Sequence, residues 1–354
     1  MLEYVYLDIN YRKLNAFSAK NRNAVKRNFN MKKHGIKLSA IALALSFLIF
    51  TGCSSAPALS FAGAYFLPDP SAVTVGDVNE TCEYTLSFEK GKREDISFTL
   101  APETSFYKTK LEKSSYGEQL CYKLTTQLNY DGTYSIKGKS DVAVKNAITT
   151  EAYFSALKDK LKPIFSRRTA KAYSPTIKNG EFEIKYYDYV LETTYSGNDA
   201  SVKFTAENFA DGDYSLVPGS VTEYKNLYKT NYFDNETALF LPRTLSLGRS
   251  FVTYNSIDGL SKTVRSMKLS PAETATAKLE FSSYTTNSKN IAEVAADVVT
   301  FSLNETYSGS ALTAYYAQKN DTQSQYSRLL KLEVNADYGI GKFTYIIKSA
   351  SYGA

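Results

Sequence analysis

The chain has 354 residues, with 42 Lys and Arg against 36 Asp and Glu, 29 Tyr, 20 Phe, one His and no Trp. Residues 1–52 hold nine of the basic residues and two of the acidic ones, so the other 302 carry 33 against 34, a net of −1, with no basic excess to recruit nucleic acid. The one histidine, His34, also lies in that leading segment, so the remainder has no Ser–His or Cys–His pair, no histidine base and no histidine metal ligand.

Residues 1–30 precede a second methionine, Met31, which opens a secretory signal of its own and is the expected start. Lys32, Lys33 and Lys37 supply a positive end, and the 13 residues from Leu38 to Phe50 form an apolar run broken only by Ser39 and Ser46. As a helix they span roughly 20 Å, at about 1.5 Å per residue, against about 30 Å for a bilayer core. The run suits transient insertion and cleavage better than permanent spanning.

Phe50-Thr51-Gly52-Cys53 closes this segment and resembles the lipobox of bacterial lipoproteins, with Phe50 where that family usually has Leu. The resemblance implies that the Cys53 thiol is acylated, that residues 1–52 are removed, and that the new amino end is acylated too. Two acyl chains anchor stably where one binds only marginally. The expected address is therefore the cell membrane or outer membrane, facing outside the cytoplasm, with the membrane as a partner through lipid on Cys53.

Residues 53–78 contain Pro57, Pro68 and Pro70 among small residues and read as a tether. Two β-rich domains or halves are expected after it, 79–217 and 218–354, with a break at Pro218-Gly219. The fold class predicted is mainly β: antiparallel sheets of hairpin-connected strands with one or two packed amphipathic helices. Val, Ile, Thr, Tyr and Phe dominate, and apolar and polar positions alternate.

Within the first half, Tyr122, Leu124, Leu128, Tyr134 and Ile136 share one parity. A three-residue loop at Tyr130-Asp131-Gly132 would pair Leu128 with Tyr134 and Thr126 with Ile136. Tyr153, Phe154, Leu157 and Leu161 recur at helical spacing after a Thr149 cap, predicting a helix over about 149–162 that Pro163 ends. A two-residue turn at Asn179-Gly180 pairs Lys178 with Glu181 and Ile177 with Phe182. Further turns are signalled at Gly197-Asn198-Asp199, Asp211-Gly212, Asp258-Gly259 and Gly339-Ile340-Gly341. A second helix is a weaker candidate over 289–296. Segments 122–138 and 330–349 look loosely alike, as two copies of one hairpin would.

Few residues carry a chemical signal. Ser155-Ala156-Leu157-Lys158 matches the S-x-x-K nucleophile pattern, but no S-D-N or K-T-G follows, and Ser87-Phe88-Glu89-Lys90 matches equally well. Gly339-Ile340-Gly341-Lys342 lacks the spacing of a phosphate loop and reads as a hairpin turn. Asp211, Asp213 and Glu207 are too few for a calcium loop. Asp188 is the best catalytic candidate, because it interrupts the apolar even positions Phe182, Ile184, Tyr186 and Val190. The alternative is that the strand bulges there or that Asp188 pairs with a basic neighbour. Cys82 and Cys121 are either a disulfide or two buried thiols. No metal site and no cofactor are implied.

The function expected is non-catalytic binding of a ligand or partner at the cell envelope. A curved sheet with a helix against one face would suit an apolar ligand, as in the periplasmic lipoprotein carriers. The alternatives are a carboxylate-based hydrolase of glycosidase type, and a structural or adhesive surface protein.

Overall fold

The computed structural model describes residues 79–155, 161–208, 217–227, 231–245, 251–279, 292–303, 312–318 and 328–352. Eight strands come from the first part of the chain: β1 (Asn79–Lys90), β2 (Ile96–Tyr116), β3 (Gln119–Ile136), β4 (Val142–Ser155), β5 (Lys162–Lys178), β6 (Glu181–Ser196), β7 (Asp199–Asn208) and β8 (Val221–Tyr224). Seven follow: β9 (Val252–Asp258), β10 (Thr263–Leu269), β11 (Glu273–Leu279), β12 (Ala292–Leu303), β13 (Leu312–Ala317), β14 (Leu329–Asn335) and β15 (Gly341–Tyr352). All fifteen belong to one sheet, in the order β8-β7-β6-β5-β4-β3-β2-β1-β15-β14-β13-β12-β10-β9. Strand β11 pairs β12 off this path. The neighbours are antiparallel, and the β1–β15 pairing joins the first and last parts of the chain along its length.

The sheet curls until distant strands touch. Phe182 at the start of β6 packs edge-on against Tyr338 beyond β14, with ring centres 5.3 Å apart. At the other extreme, a Cβ on Gly259 would lie 3.3 Å from side chains of Leu191 and Val202, which puts the β9–β10 turn against β6 and β7. Alternate residues point into the curl and form one apolar core.

Long strands curl this far only where their ladders are interrupted. In β2 the pairing with β3 jumps from Ala101 to Phe106, opposite Asp131 and Asn129. Pro102 lies inside this bulge, where its missing N–H costs no ladder bond. The Ser105 hydroxyl donates to the Ala101 carbonyl at 2.6 Å and accepts from the Asp131 N–H at 3.1 Å, mending the break.

The expected loop at Tyr130-Asp131-Gly132 is therefore not a loop. These residues lie inside β3, with Gly132 opposite Leu100. A Cβ on Gly132 would come within 2.4 Å of the Phe98 ring and of the Thr99 carbonyl. The glycine serves a close approach rather than a reversal. The even face of β3 is as expected: Tyr122, Leu124, Leu128, Tyr134 and Ile136 are buried, and Tyr130 with them. Since 122–138 is mostly one strand and 330–349 is the β14–β15 hairpin, the two segments are not copies of one motif.

The helix expected over 149–162 is absent from its described part, because 149–155 completes β4. Val144, Ile148, Thr150, Ala152 and Phe154 are buried at a period of two. Burying one large apolar side chain is worth roughly 1.5–3 kcal/mol, more than any helix propensity in this segment. Tyr153 is apolar for a different reason: it faces outward and packs near Tyr116, with ring centres 5.2 Å apart. Similarly, 292–296 of the second expected helix is strand β12, and 289–291 lies outside the described residues. The described helical structure is a 3-10 turn at Asn235–Phe240, the four-residue helix α1 (Leu241–Thr244) and a 3-10 turn at Asp337–Gly339.

The turn expectations fare better. Lys178 pairs Glu181 and Ile177 pairs Phe182 across Asn179-Gly180. Both turn residues have positive φ, 53° and 88°, as a type I′ turn requires. Gly197-Asn198, Gly259 and 336–340 also turn the chain where expected, while Asp211-Gly212 lies outside the described residues.

Candidate functional site

The core contains a polar seam that anchors the segment 231–245 inside the curl. Arg243 of α1 donates to both carboxylate oxygens of Glu80 on β1, at 2.7 and 2.9 Å. Arg328 adds a third contact at 3.5 Å. Arg168 of β5, 1% exposed, reaches Glu236 at 2.6 Å. Asp234 caps the 3-10 turn by accepting from the Glu236 N–H, and also accepts from the hydroxyls of Ser166 and Tyr195. Burial and the neighbouring Glu236 charge raise the Asp234 pKa. Asp234 and Glu236 border a cavity of only about 20 Å³. Their lone pairs are engaged in positioning, so the arrangement holds segment 231–245 in place as a plug inside the curl. None of these residues was singled out from sequence. The available signal was Arg168, a cation on the buried parity of β5.

A second, larger cavity of about 70 Å³ lies at one end of the curl. Its position follows from the ladders. Strands β4 and β5 pair only as far as Ala147 and Lys171, whereas β5 stays paired with β6 to Lys178. The β5–β6 ribbon thus peels from β4. The buried Asn146 bridges the gap, accepting from the Tyr173 N–H at 2.5 Å and donating to the Tyr130 carbonyl at 3.3 Å. Tyr173, Ser174 and Pro175 form one wall, and the β14–β15 turn with Asp337 forms another.

The floor is aromatic. Phe98 lies against Phe88 and Tyr134, with ring centres 5.1 and 4.7 Å away. Phe343 meets Phe88 at 4.7 Å and Tyr130 at 5.4 Å, both edge-on. A Cβ on Gly341 would strike the Phe88 ring at 2.3 Å, so this glycine is what lets that ring lie against β15. Burial and the charge of Asp337 hold the Tyr130 and Tyr134 phenols above their ordinary range, so both stay protonated. Arg93 steadies the rim, donating to the Tyr338 carbonyl at 3.3 Å while lying over the Phe182 ring.

Asp188 belongs to neither cavity. Around Asp188 the buried residues of β6 are Tyr187, Tyr189 and Leu191, on the opposite parity to it. Asp188 lies opposite Lys171 and pairs with its ammonium at 3.1 Å, where the β6–β7 register also shifts. The even positions misled because both faces of the ribbon carry apolar residues, Phe182 being buried only at the peeled end.

Cys82 and Cys121 are free and buried. They sit opposite Thr109 and Ser114 of β2, on its two sides. Five residues along a strand is roughly 17 Å at about 3.4 Å per residue, beyond the reach of about 7 Å for a disulfide. The alternative of two buried thiols describes them. Burial pushes Cys82 up to about 12 and Cys121 up to about 11. Ser155 ends β4 opposite Lys162, on a strand and not on the helix that S-x-x-K needs, and Lys158 lies outside the described residues. Ser87 and Lys90 fall on opposite faces of β1. Gly339 to Lys342 is a turn leading into β15. Cys53, Asp211 and Asp213 also lie outside the described residues.

No protein-family model matches the chain, and no curated protein matches it. A solved structure, a β-barrel-like protein of a domain of unknown function from Brucella abortus, aligns with a TM-score of 0.45 and 9% identity, over 78% of this chain and 99% of that one.

Proposed function

We propose that this is an extracytoplasmic lipoprotein, anchored through Cys53 and a tether over 53–78, whose β body binds a small ligand in the aromatic cavity without catalysis. The observation that carries the binding reading is the cavity itself: rings on its floor, two protonated phenols and a carboxylate converge on one space. Its placement is consistent with anchoring. The described chain begins at Asn79, opposite Glu112, near the Tyr116 end of β2. The cavity gathers around Phe88, Phe98 and the β14–β15 turn, at the other end of the strands. A membrane at the tethered end leaves that region clear.

The volume argues against bulky acyl cargo. Drug-sized pockets run to about 300–1,000 Å³, well above 70 Å³. Segment 231–245 fills the space that a large apolar guest would need.

Three measurements test this reading. Intact mass of protein from a bacterial host should show a chain starting at Cys53 with added acyl mass, and Cys53→Ala should move the protein from the membrane to the soluble fraction. A fragment screen by NMR should shift signals of Phe98, Tyr134 and Phe343. An unacylated chain starting upstream of Cys53 would overturn the anchoring, and a silent screen would overturn the binding.

A further inference from the structure

Three tyrosines in the lining of the aromatic cavity carry hydroxyls that the protein leaves unused. Tyr130, Tyr134 and Tyr345 are 8%, 6% and 4% exposed. Among the described residues, none of these three hydroxyls makes a hydrogen bond, either to the protein or to another of the three. The ordinary arrangement for a phenol this deep is seen at Tyr84 and Tyr316, which donate to the Leu329 and Leu239 carbonyls at 2.9 and 2.7 Å. A buried O–H without an acceptor costs free energy. Here only the cavity is left to receive the protons. The three hydroxyls share one neighbourhood: a charge on Tyr130 would oppose ionisation of both Tyr134 and Tyr345. Phe98 packs against Tyr130 and Tyr134, at 6.2 and 4.7 Å between ring centres, and Phe343 against Tyr130 and Tyr345, at 5.4 and 6.5 Å. Donors and apolar rings therefore face one space. Asp337, in the same lining, is engaged within the structure and plays no part in this pattern.

Resting on the reading of this cavity as a binding site, we propose that its ligand is a small uncharged carbonyl compound, which accepts from the hydroxyls of Tyr130, Tyr134 and Tyr345 and packs an apolar frame on Phe98 and Phe343. A carbonyl oxygen has two lone pairs and no proton of its own, so it takes up two of these donors and adds none. An alcohol would bring one more O–H to be satisfied. An ammonium offers donors only and would leave the phenol protons unpaired. No Lys, Arg or His lines the cavity, so an anion would give up its hydration without meeting a cation. Size agrees with this assignment. A space of about 70 Å³ holds about five to seven heavy atoms at about 10–15 Å³ each, the scale of a single small ring with its oxygen. A larger molecule would place only such a group here and leave the remainder outside.

NMR titration with three probes of matched size tests the assignment: cyclopentanone, methylenecyclopentane (the same frame with carbon in place of oxygen) and isobutyrate, an acceptor with a full charge, all at fixed ionic strength. Cyclopentanone should bind about tenfold more tightly than methylenecyclopentane, although the alkene leaves water more readily, and isobutyrate should bind more weakly than the ketone. Tyr130→Phe and Tyr134→Phe should each weaken cyclopentanone about tenfold and leave methylenecyclopentane unchanged. Neither variant should lower the unfolding midpoint, because the hydroxyl removed has no partner in the protein. Methylenecyclopentane binding as tightly as the ketone, or isobutyrate binding more tightly, would sink the carbonyl assignment while leaving the cavity as a binding site. A lowered midpoint in either variant would show the hydroxyl spent inside the protein and would sink the assignment too. No binding by any of the three, with the Phe343 and Tyr134 signals unmoved, would remove both readings. The wild-type comparison stands even if a variant fails to fold.

Discussion

Arg243 holds Glu80 by a two-pronged ion pair although 163 positions separate them in the chain, and both side chains are almost fully buried, at 2% and 3% exposure. This pair ties α1, at the C-terminal end of the plug, to β1, the strand on which the first and last parts of the sheet meet. Removing Arg243 takes both short hydrogen bonds from the buried Glu80 carboxylate and leaves it the longer Arg328 contact at 3.5 Å. Arg243→Met is expected to lower unfolding free energy by about 3–5 kcal/mol. Urea denaturation measures it, and a loss under about 1 kcal/mol would show that the plug is held by packing alone.

Gly132 is the site at which an added methyl group has nowhere to go. The Thr99 carbonyl, 2.4 Å from the position of its Cβ, is backbone and cannot rotate aside. Gly132→Ala should destabilise by about 1–3 kcal/mol and shift the Phe98 ring toward the cavity. Thermal unfolding and NMR of Phe98 follow the two effects. An unchanged midpoint would mean that the β2 bulge opens freely.

The buried thiols make a prediction about alkaline pH. Cys82 is raised to about 12 from an ordinary value of 9.0. A raised folded pKa means that the folded state holds its proton where the unfolded chain has lost it. The stabilisation is complete below about 9 and is lost as pH rises through about 12. Above pH 9 the unfolding midpoint should fall, and Cys82→Ala should lessen that fall, the rest coming from Cys121 and from buried tyrosines whose pKa values are also raised. At pH 8 neither Cys82 nor Cys121 should react with iodoacetamide until denaturant is added. Fast labelling of the native protein would contradict their burial.

Asp188 should matter little. Its partner Lys171 has a side chain 57% exposed, and the pair lies on the outside of the curl. Asp188→Asn is expected to leave the unfolding midpoint and ligand binding unchanged. Loss of ligand binding on that substitution, with the unfolding midpoint unchanged, would restore Asp188 as a functional residue.

Local rules reached some elements and missed others for identifiable reasons. The turn at Asn179-Gly180 was legible because two residues in a row with positive φ need nothing but their neighbours. Asp131-Gly132 carries a similar signal and means the opposite. What sets it apart is the Phe98 ring, more than thirty positions earlier in the chain. Residues 149–155 offered two periods at once, since Tyr153 serves an outer aromatic cluster and Phe154 the core. Asp188 was misplaced because the β5–β6 ribbon changes its buried face where it leaves β4.

Composition and alternation alone were enough for a β-rich body, since strand-forming residues at a period of two bury one face whatever the partner strand. The absence of histidine beyond position 34 was equally plain. The curling of fifteen strands around segment 231–245, the meeting of Glu80 with Arg243, and the gathering of Phe98, Tyr134, Asp337 and Phe343 about one cavity came from folding. Those contacts join residues tens to hundreds of positions apart. Their geometry depends on where each ladder breaks, and that is a property of neighbouring strands, not of any one stretch of chain.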